Sequence, residues 1–287
     1  MSTVESKTYR SDLKPVWCPG CGDFGVLNAL TLAFADLALK PEHLSVISGI
    51  GCSSRLPAYI RNYGFHAIHG RALPVAAGLK LARPELHVIV TMGDGDAYSI
   101  GGNHFLHAAR RNLDLTCIVM DNRIYGMTKG QLSPTTPLKD RTHTSPYGSI
   151  DPPLHPLVVA LGAGATFAAR GFGWEPRRLA ALIVQALAHR GFSVVDVISP
   201  CVVFRPEDRT AFKGKLTWTN EAPETEDRFK AMARATSEKG LSLGLFFQKE
   251  APTYEDAIKG EMEAAKQHPA PVRGLDEIVA ALPGRGE

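Results

Sequence analysis

The sequence predicts an α/β protein, a doubly wound and mostly parallel sheet followed by an irregular C-terminal extension. Three observations carry this. Short apolar runs alternate with longer helix-like segments, the pattern of repeated strand–helix units. The runs lack polar alternation, as strands covered on both faces do. At 287 residues the chain is long enough for one large α/β domain or two small ones, and it can bury a core without disulfide support.

The elements follow in order. The stretch "WCPGCGDFGVLNAL" opens a predicted helix over 24–39. A strand follows over 44–51 ("LSVISGIG"), a helix over 74–82, and a strand over 87–95 ("HVIVTMGDG"). A helix over 98–112 leads to a strand over 115–122 ("LTCIVMDN"). Segment 127–156 is polar and rich in Pro, Thr and Ser; a connection of that length inside a compact domain is usually functional or mobile. Helices over 153–162 and 175–190 precede a last strand, 192–201 ("FSVVDVISPC"). Each strand is rich in Val, Ile or Leu and stops at Gly, Asp, Asn or Cys. Residues 1–205 therefore read as the main domain and 206–287 as the extension, an irregular arm with a surface helix over 253–266.

The bulk numbers exclude some classes. A formal net charge of +3 with no dense basic run argues against nucleic acid. No segment approaches the roughly 20 apolar residues of a membrane span, and the polar N-terminus has no apolar signal core. Five cysteines, an odd number in a chain that needs no staples, point to a reducing compartment, the cytoplasm.

In open α/β sheets, ligands bind beyond the carboxyl ends of the strands. Gly93 and Gly95 flank Asp94, so the backbone there turns tightly and can approach a ligand. Asn122 lies 28 residues on, at the end of the next strand. A carboxylate and an amide oxygen in an incomplete ring suit Mg²⁺, which often takes further oxygens from phosphates. The helix from about Ala97 offers free N–H groups to an anion. These residues together look like a site for a Mg²⁺-bound diphosphate. Cys18 and Cys21 form a Cys-x-x-Cys pair at a helix mouth, fitting a redox disulfide, half a zinc site or half an iron–sulfur site. Cys52 and Cys201 fall at strand ends on the same side. On the cysteines alone, a four-cysteine zinc site and an iron–sulfur site stand even. Cys117, inside "LTCIVM", reads as a buried small hydrophobe.

The motifs "WCPGCG", "GIGCSSR", "HGRALPVAAGLKLA", "GDGDAYSIGGNHFLHAARRN" and "DNRIYGMTKGQLSPTT" occur in this order over about 17–201. Together they resemble the β subunit of 2-oxoacid:ferredoxin oxidoreductases, nearest the 2-oxoglutarate branch. The resemblance implies a thiamine-diphosphate-binding fold with thiamine diphosphate, Mg²⁺ and one [4Fe–4S] cluster. Cys18, Cys21, Cys52 and Cys201 match the cluster ligands. Asp94, Asn122 and the carbonyl of Ile124 match the Mg²⁺ ligands, and Gly95 and Asp96 match the diphosphate contacts. Ile50, Gly51, Cys52 and Ser53 match the loop around the thiazolium and pyrimidine. His69 matches a cofactor-side histidine, and Gly126 and Met127 match residues that lie against the cofactor. Arg55 and Lys129 are candidates for recognising carboxylate or phosphate, a task that suits Arg well.

The implied reaction is thiamine-dependent, reversible oxidative decarboxylation of a 2-oxoacid with coenzyme A, electrons leaving through the cluster to ferredoxin. 2-Oxoglutarate is the first choice, with pyruvate and branched-chain acids as alternatives. An α subunit is implied as well, in an αβ or α2β2 assembly, because the glutamate that activates thiamine has no place in this chain; residues 206–287 are expected to pack on it. Lys14, Arg55, Arg61 and Arg205 are the expected cationic rim for an acidic ferredoxin. Two rival readings remain at this point: a non-redox thiamine-dependent decarboxylase half, which needs no strand-end cysteines, and a zinc-stabilised binding module, which needs no acid-to-amide spacing.

Overall fold

The computed structural model describes residues 5–212, 214–219, 227–237 and 241–267, with 274 and 277 as single positions. Eight strands form one sheet in the order β2-β1-β3-β4-β6-β5-β8-β7. They are β1 (Leu44–Ser48), β2 (Tyr63–His66), β3 (His87–Gly93), β4 (Thr116–Asp121), β5 (Phe167–Phe172), β6 (Ser193–Ile198), β7 (Leu216–Trp218) and β8 (Leu241–Gln248). Strands β1 to β6 pair in parallel, and β8 runs antiparallel to β5. The helices are α1 (Asp23–Asp36), α2 (Ala72–Ala82), α3 (Gly102–Arg110), α4 (Pro156–Ala163), α5 (Pro176–Ala188), α6 (Asp208–Ala211), α7 (Arg228–Ala235) and α8 (Tyr254–Gln267).

Strand side chains alternate between two cores, one on each face. Val88, Val90, Met92, Cys117 and Val119 meet α2, α3 and α4 on one face. Ile89, Ile118, Met120, Val195 and Val197 meet α1 and α5 on the other. Every residue of β1, β4, β5 and β6 is buried, which is why these runs carry no polar alternation. Cys117 is buried in the first core, as its sequence context predicts. No helix among the described residues is long and apolar enough to cross a membrane.

Four features depart from the sequence reading. Strand β2, which no apolar run announces, lies at the sheet edge with all four residues exposed. Residues 94–101 do not enter a regular helix at 98: a wide π turn spans Asp96–Ile100, and α3 begins at Gly102. Strand β5 is central to its half of the sheet although Arg170 sits in its middle; Arg170 lies opposite Asp196 of β6 and pairs with it at 3.0 Å. The region read as an irregular arm adds β8 and β7 to the far end of the sheet, and α7 packs against α4 and β8.

Helix α1 rests on the loop after β5 at one glycine. A Cβ on Gly25 would stand 1.5 Å from the Gly173 carbonyl oxygen, so the helix must move away if one is added. Gly25→Ala is expected to destabilise the fold by about 3 kcal/mol, the upper end of overpacking costs, read as a drop in the denaturation midpoint.

Candidate active site

Four neighbouring parallel strands end side by side. Ser48 of β1 lies opposite Thr91, Gly93 of β3 opposite Met120, and Asp121 of β4 opposite Ile198 of β6. The loops that follow β1, β3, β4 and β6 therefore converge at one edge, which gathers the residues singled out above.

Asp94 leaves β3 almost fully buried, at 2 % exposure. The Thr135 hydroxyl lies 2.7 Å from Asp94 Oδ2 and 2.7 Å from Asp121 Oδ1. One hydroxyl proton thus faces two buried carboxylates. Burial, then the charge of Asp121, pushes the Asp94 pKa up to about 7; burial raises Asp121 too. The corner is short of positive charge, and a divalent cation would supply it. Asn122 brings an amide oxygen, which accepts from the Ile124 N–H at 3.0 Å and so folds the turn that carries the Ile124 carbonyl. The donor set is hard oxygen throughout and fits Mg²⁺. Gly95 has no room for a side chain, because a Cβ would stand 2.3 Å from the Tyr125 ring. Tyr125 OH donates to the Gly95 carbonyl at 3.1 Å, pressing that turn against β4's loop.

Asp96 faces elsewhere than its neighbour. Its Oδ1 accepts from the Gly70 N–H at 2.6 Å and lies 2.8 Å from His69 Nδ1. The Ile50 N–H also points at this carboxyl. The side chain is committed to the loops at 49–51 and 69–70. His69 is half-buried beside it. Ser53 is buried, its hydroxyl 3.3 Å from the Cβ position of Gly93.

A cavity of about 480 Å³ opens next to this corner. Ile50, Gly51, Arg55 and Met127 line it, as do Lys14 and His66, to which the sequence reading gave no substrate role. Lys129 is exposed with φ +83° and stands outside that lining.

Two of the four cysteines, Cys52 and Cys201, stand beside Gly126 together with Asn122. A Cβ at Gly126 would stand 3.6 Å from Cys201 Sγ, 4.0 Å from Cys52 Sγ and 3.9 Å from Asn122 Nδ2. Cys52 interacts electrostatically with Cys201 and Cys18, and Cys21 with Cys52 and Cys201. The supporting loops are tied together: Ser199 Oγ donates to Asp23 Oδ1 at 2.8 Å, and Trp17 Nε1 donates to the Cys52 carbonyl at 2.7 Å. Burial, then Asp23, raises the Cys52 thiol to about 11; burial raises Cys21 as well. Among the described residues no three His, Cys, Asp or Glu side chains close around a single metal ion. A zinc ion draws its thiolates in to a Zn–S distance of about 2.3 Å. A four-iron cluster binds each thiolate to a separate iron and so spaces them more widely. Four thiols are the donor set that either group would use.

The expected cationic rim needs correction. Arg205 is buried and bound to Asp140 at 2.6 Å and Asp208 at 3.0 Å, so it holds the loop after Cys201 rather than a partner. Arg61 is exposed and pairs with exposed Asp12 at 2.9 Å, so it stays on the surface with Lys14 and Arg55. Lys14 and Arg55 stay exposed, and exposed Arg209 lies over Gly20, with NH2 3.2 Å from the Cβ position there.

Comparison with known proteins decides the family. The profile of the thiamine pyrophosphate enzyme C-terminal TPP-binding domain matches residues 49–197. The 2-oxoacid:ferredoxin oxidoreductase 2 β subunit of Aeropyrum pernix is 37 % identical over 93 % of this chain and 91 % of its own length. The chain belongs to the 2-oxoacid:ferredoxin oxidoreductase β subunits. The 2-oxoglutarate synthase subunit KorB of Methanocaldococcus jannaschii is 38 % identical over 91 % of this chain and 97 % of its own. A solved 2-oxoglutarate:ferredoxin oxidoreductase from Magnetococcus marinus, with 2-oxoglutarate, coenzyme A and succinyl-CoA bound, superposes with TM-score 0.90 at 39 % identity; the match covers 99 % of this chain and 98 % of that one. As a member of this oxidoreductase family, the β subunit binds thiamine diphosphate through the domain just described.

Sequence reasoning passed over Asp121, Tyr125 and Thr135 in this β subunit. Asp121 directly precedes Asn122, and Thr135 lies in "SPTTP", a dense cluster of hydroxyls between two prolines. That clustering was the available signal.

Proposed function

We propose that the chain, with an α subunit in an αβ or α2β2 assembly, carries out the reversible oxidative decarboxylation of 2-oxoglutarate. 2-Oxoglutarate, coenzyme A and two oxidised ferredoxins give succinyl-CoA, carbon dioxide, a proton and two reduced ferredoxins. The observation that supports this reading is the closeness of two groups at one sheet edge: Asn122, which follows the buried Asp94–Asp121 corner, and the thiols of Cys52 and Cys201 all lie within 4.0 Å of the Cβ position of Gly126, and Cys18 and Cys21 interact with those thiols. The cytoplasm is the proposed compartment, since free thiols that hold iron need a reducing one.

When bound, thiamine diphosphate supplies the nucleophilic carbon and the electron sink for decarboxylation, and the [4Fe–4S] cluster supplies one-electron acceptance. This chain's residues supply position and charge. Asp94, Asn122 and the Ile124 carbonyl hold Mg²⁺, and the backbone at Gly95 and Asp96 faces the diphosphate. Ile50, Gly51, Ser53, Gly126 and Met127 shape the wall of the cofactor slot. Asp96 fixes His69 beside the slot. Arg55 and Lys14 give the adjoining cavity, which His66 also lines, the charge to take up carboxylates. Exposed Lys14, Arg55 and Arg209 suit the approach of an acidic ferredoxin.

The test is a panel assay. The chain co-expressed with its partner subunit is supplied with coenzyme A, an artificial electron acceptor and 2-oxoglutarate, pyruvate or branched-chain 2-oxoacids. The highest kcat/KM is expected on 2-oxoglutarate, and Arg55→Ala is expected to raise KM for it more than for pyruvate. Preference for another acid would overturn the substrate; no oxidation of any of them by iron-replete complex would overturn the reaction.

A further inference from the structure

We propose that Thr135 is a positioning residue for the metal–diphosphate corner, holding the Asp94 carboxylate in the orientation that Mg²⁺ requires. The inference rests on the Mg²⁺–diphosphate reading and extends it to a residue of the long polar connection.

Asp94 sits between two glycines, which leave its backbone little steric restraint. Its carboxylate is steadied from a different part of the chain. Thr135 Oγ1 reaches Asp94 Oδ2 and Asp121 Oδ1 at 2.7 Å each, from a side chain that is itself 5 % exposed. Ser133 is the second hydroxyl that favours the charged form of Asp94.

Thr135 is itself held firmly. Pro134 and Pro137 stiffen the segment. The Ser133 N–H donates to Thr136 Oγ1 at 2.9 Å, and that hydroxyl donates to the Arg123 carbonyl at 2.7 Å. The Arg123 N–H in turn donates to Asp121 Oδ1 at 3.1 Å, closing a loop of bonds around the carboxylate that Thr135 touches. The Leu154 N–H donates to the Pro134 carbonyl at 2.8 Å and pins the far end of the connection. A hydroxyl placed this rigidly orients the carboxylate it meets. Outer partners of this kind commonly set metal affinity without touching the ion.

The experiment uses the co-expressed complex. Mg²⁺ is titrated at a fixed concentration of thiamine diphosphate, and cofactor binding is followed by calorimetry, with the cluster absorbance recorded alongside. Thr135→Val keeps the shape and removes the hydroxyl. It is expected to weaken apparent Mg²⁺ affinity about 10- to 100-fold, with cluster absorbance unchanged and cofactor binding recovered at high Mg²⁺. Thr135→Ser restores the hydroxyl and is expected to stay close to wild type. If the valine variant does not assemble, Thr135→Ala, which adds no methyl against the carboxylates, is read in the same way. Equal Mg²⁺ affinity in wild type and the hydroxyl-free variant overturns the positioning role. Wild-type complex whose cofactor binding ignores Mg²⁺ overturns the diphosphate reading beneath it.

Discussion

Asp94→Ala is expected to abolish thiamine diphosphate binding while leaving the iron–sulfur absorbance in place. On the proposed reading the carboxylate carries the charge that would hold a divalent cation against a diphosphate, and loss of an outer partner alone can reach about 100-fold. Removing the ligand itself should exceed that. Calorimetry on the complex measures it, and a near-normal cofactor affinity would remove the metal role of Asp94. A second, opposite effect accompanies the first. In the cofactor-free protein, burial and the neighbouring Asp121 push the Asp94 pKa from its ordinary 3.8 to about 7. A carboxyl whose folded pKa is raised makes the fold less stable as pH climbs through that window. Asp94→Asn should therefore raise the thermal midpoint of the cofactor-free protein at pH 8 and leave it nearly unchanged at pH 4. The residue that binding needs is one that the empty fold would be better without.

Cys201→Ala and Cys52→Ala are each expected to strip the iron–sulfur cluster, taking away the brown colour and about four iron atoms per chain. Both thiols stand beside Gly126. A methyl cannot replace a thiolate ligand. Because Cys21 and Cys52 are raised by burial, iron must displace their protons, so iron retention should fall steeply under acid conditions. Cys117→Ala is the contrast. That thiol lies in the apolar core beneath α2 and α3 and should keep its iron, losing about 1 kcal/mol of stability for one buried group of methyl size. Iron loss from Cys117→Ala, with retention in Cys201→Ala, would reverse the assignment.

Strands β1, β3, β4 and β6, which bear the chemistry, were legible because they are uninterrupted apolar runs, and each stops at the residue that matters; edge strand β2, short and fully exposed, was not. Cys52, Asp94, Asn122 and Cys201 could be placed at one sheet edge from that rule alone. Strand β5 was hidden by Arg170, whose partner Asp196 is 26 residues away and whose charge reads locally as surface. Strand β8 was hidden by its antiparallel return to β5, a pairing with no local signature. Arg205 looked like a surface cation because Asp140, which binds it, is 65 residues distant. Thr135 was obscured for the same reason: its value depends on two carboxylates at the ends of two strands. Periodicity announces cores and strand ends, whereas pairings made in space announce themselves only in the folded chain.

The bare α-carbon at Gly126 also makes one position answerable to two neighbours. A methyl there would meet Cys201 Sγ at 3.6 Å, Asn122 Nδ2 at 3.9 Å and Cys52 Sγ at 4.0 Å, ordinary contact distances. Gly126→Ala should therefore fold as the natural chain does, whereas a branched residue there should push on both cysteines and on Asn122 together, so that iron content and cofactor affinity fall in step.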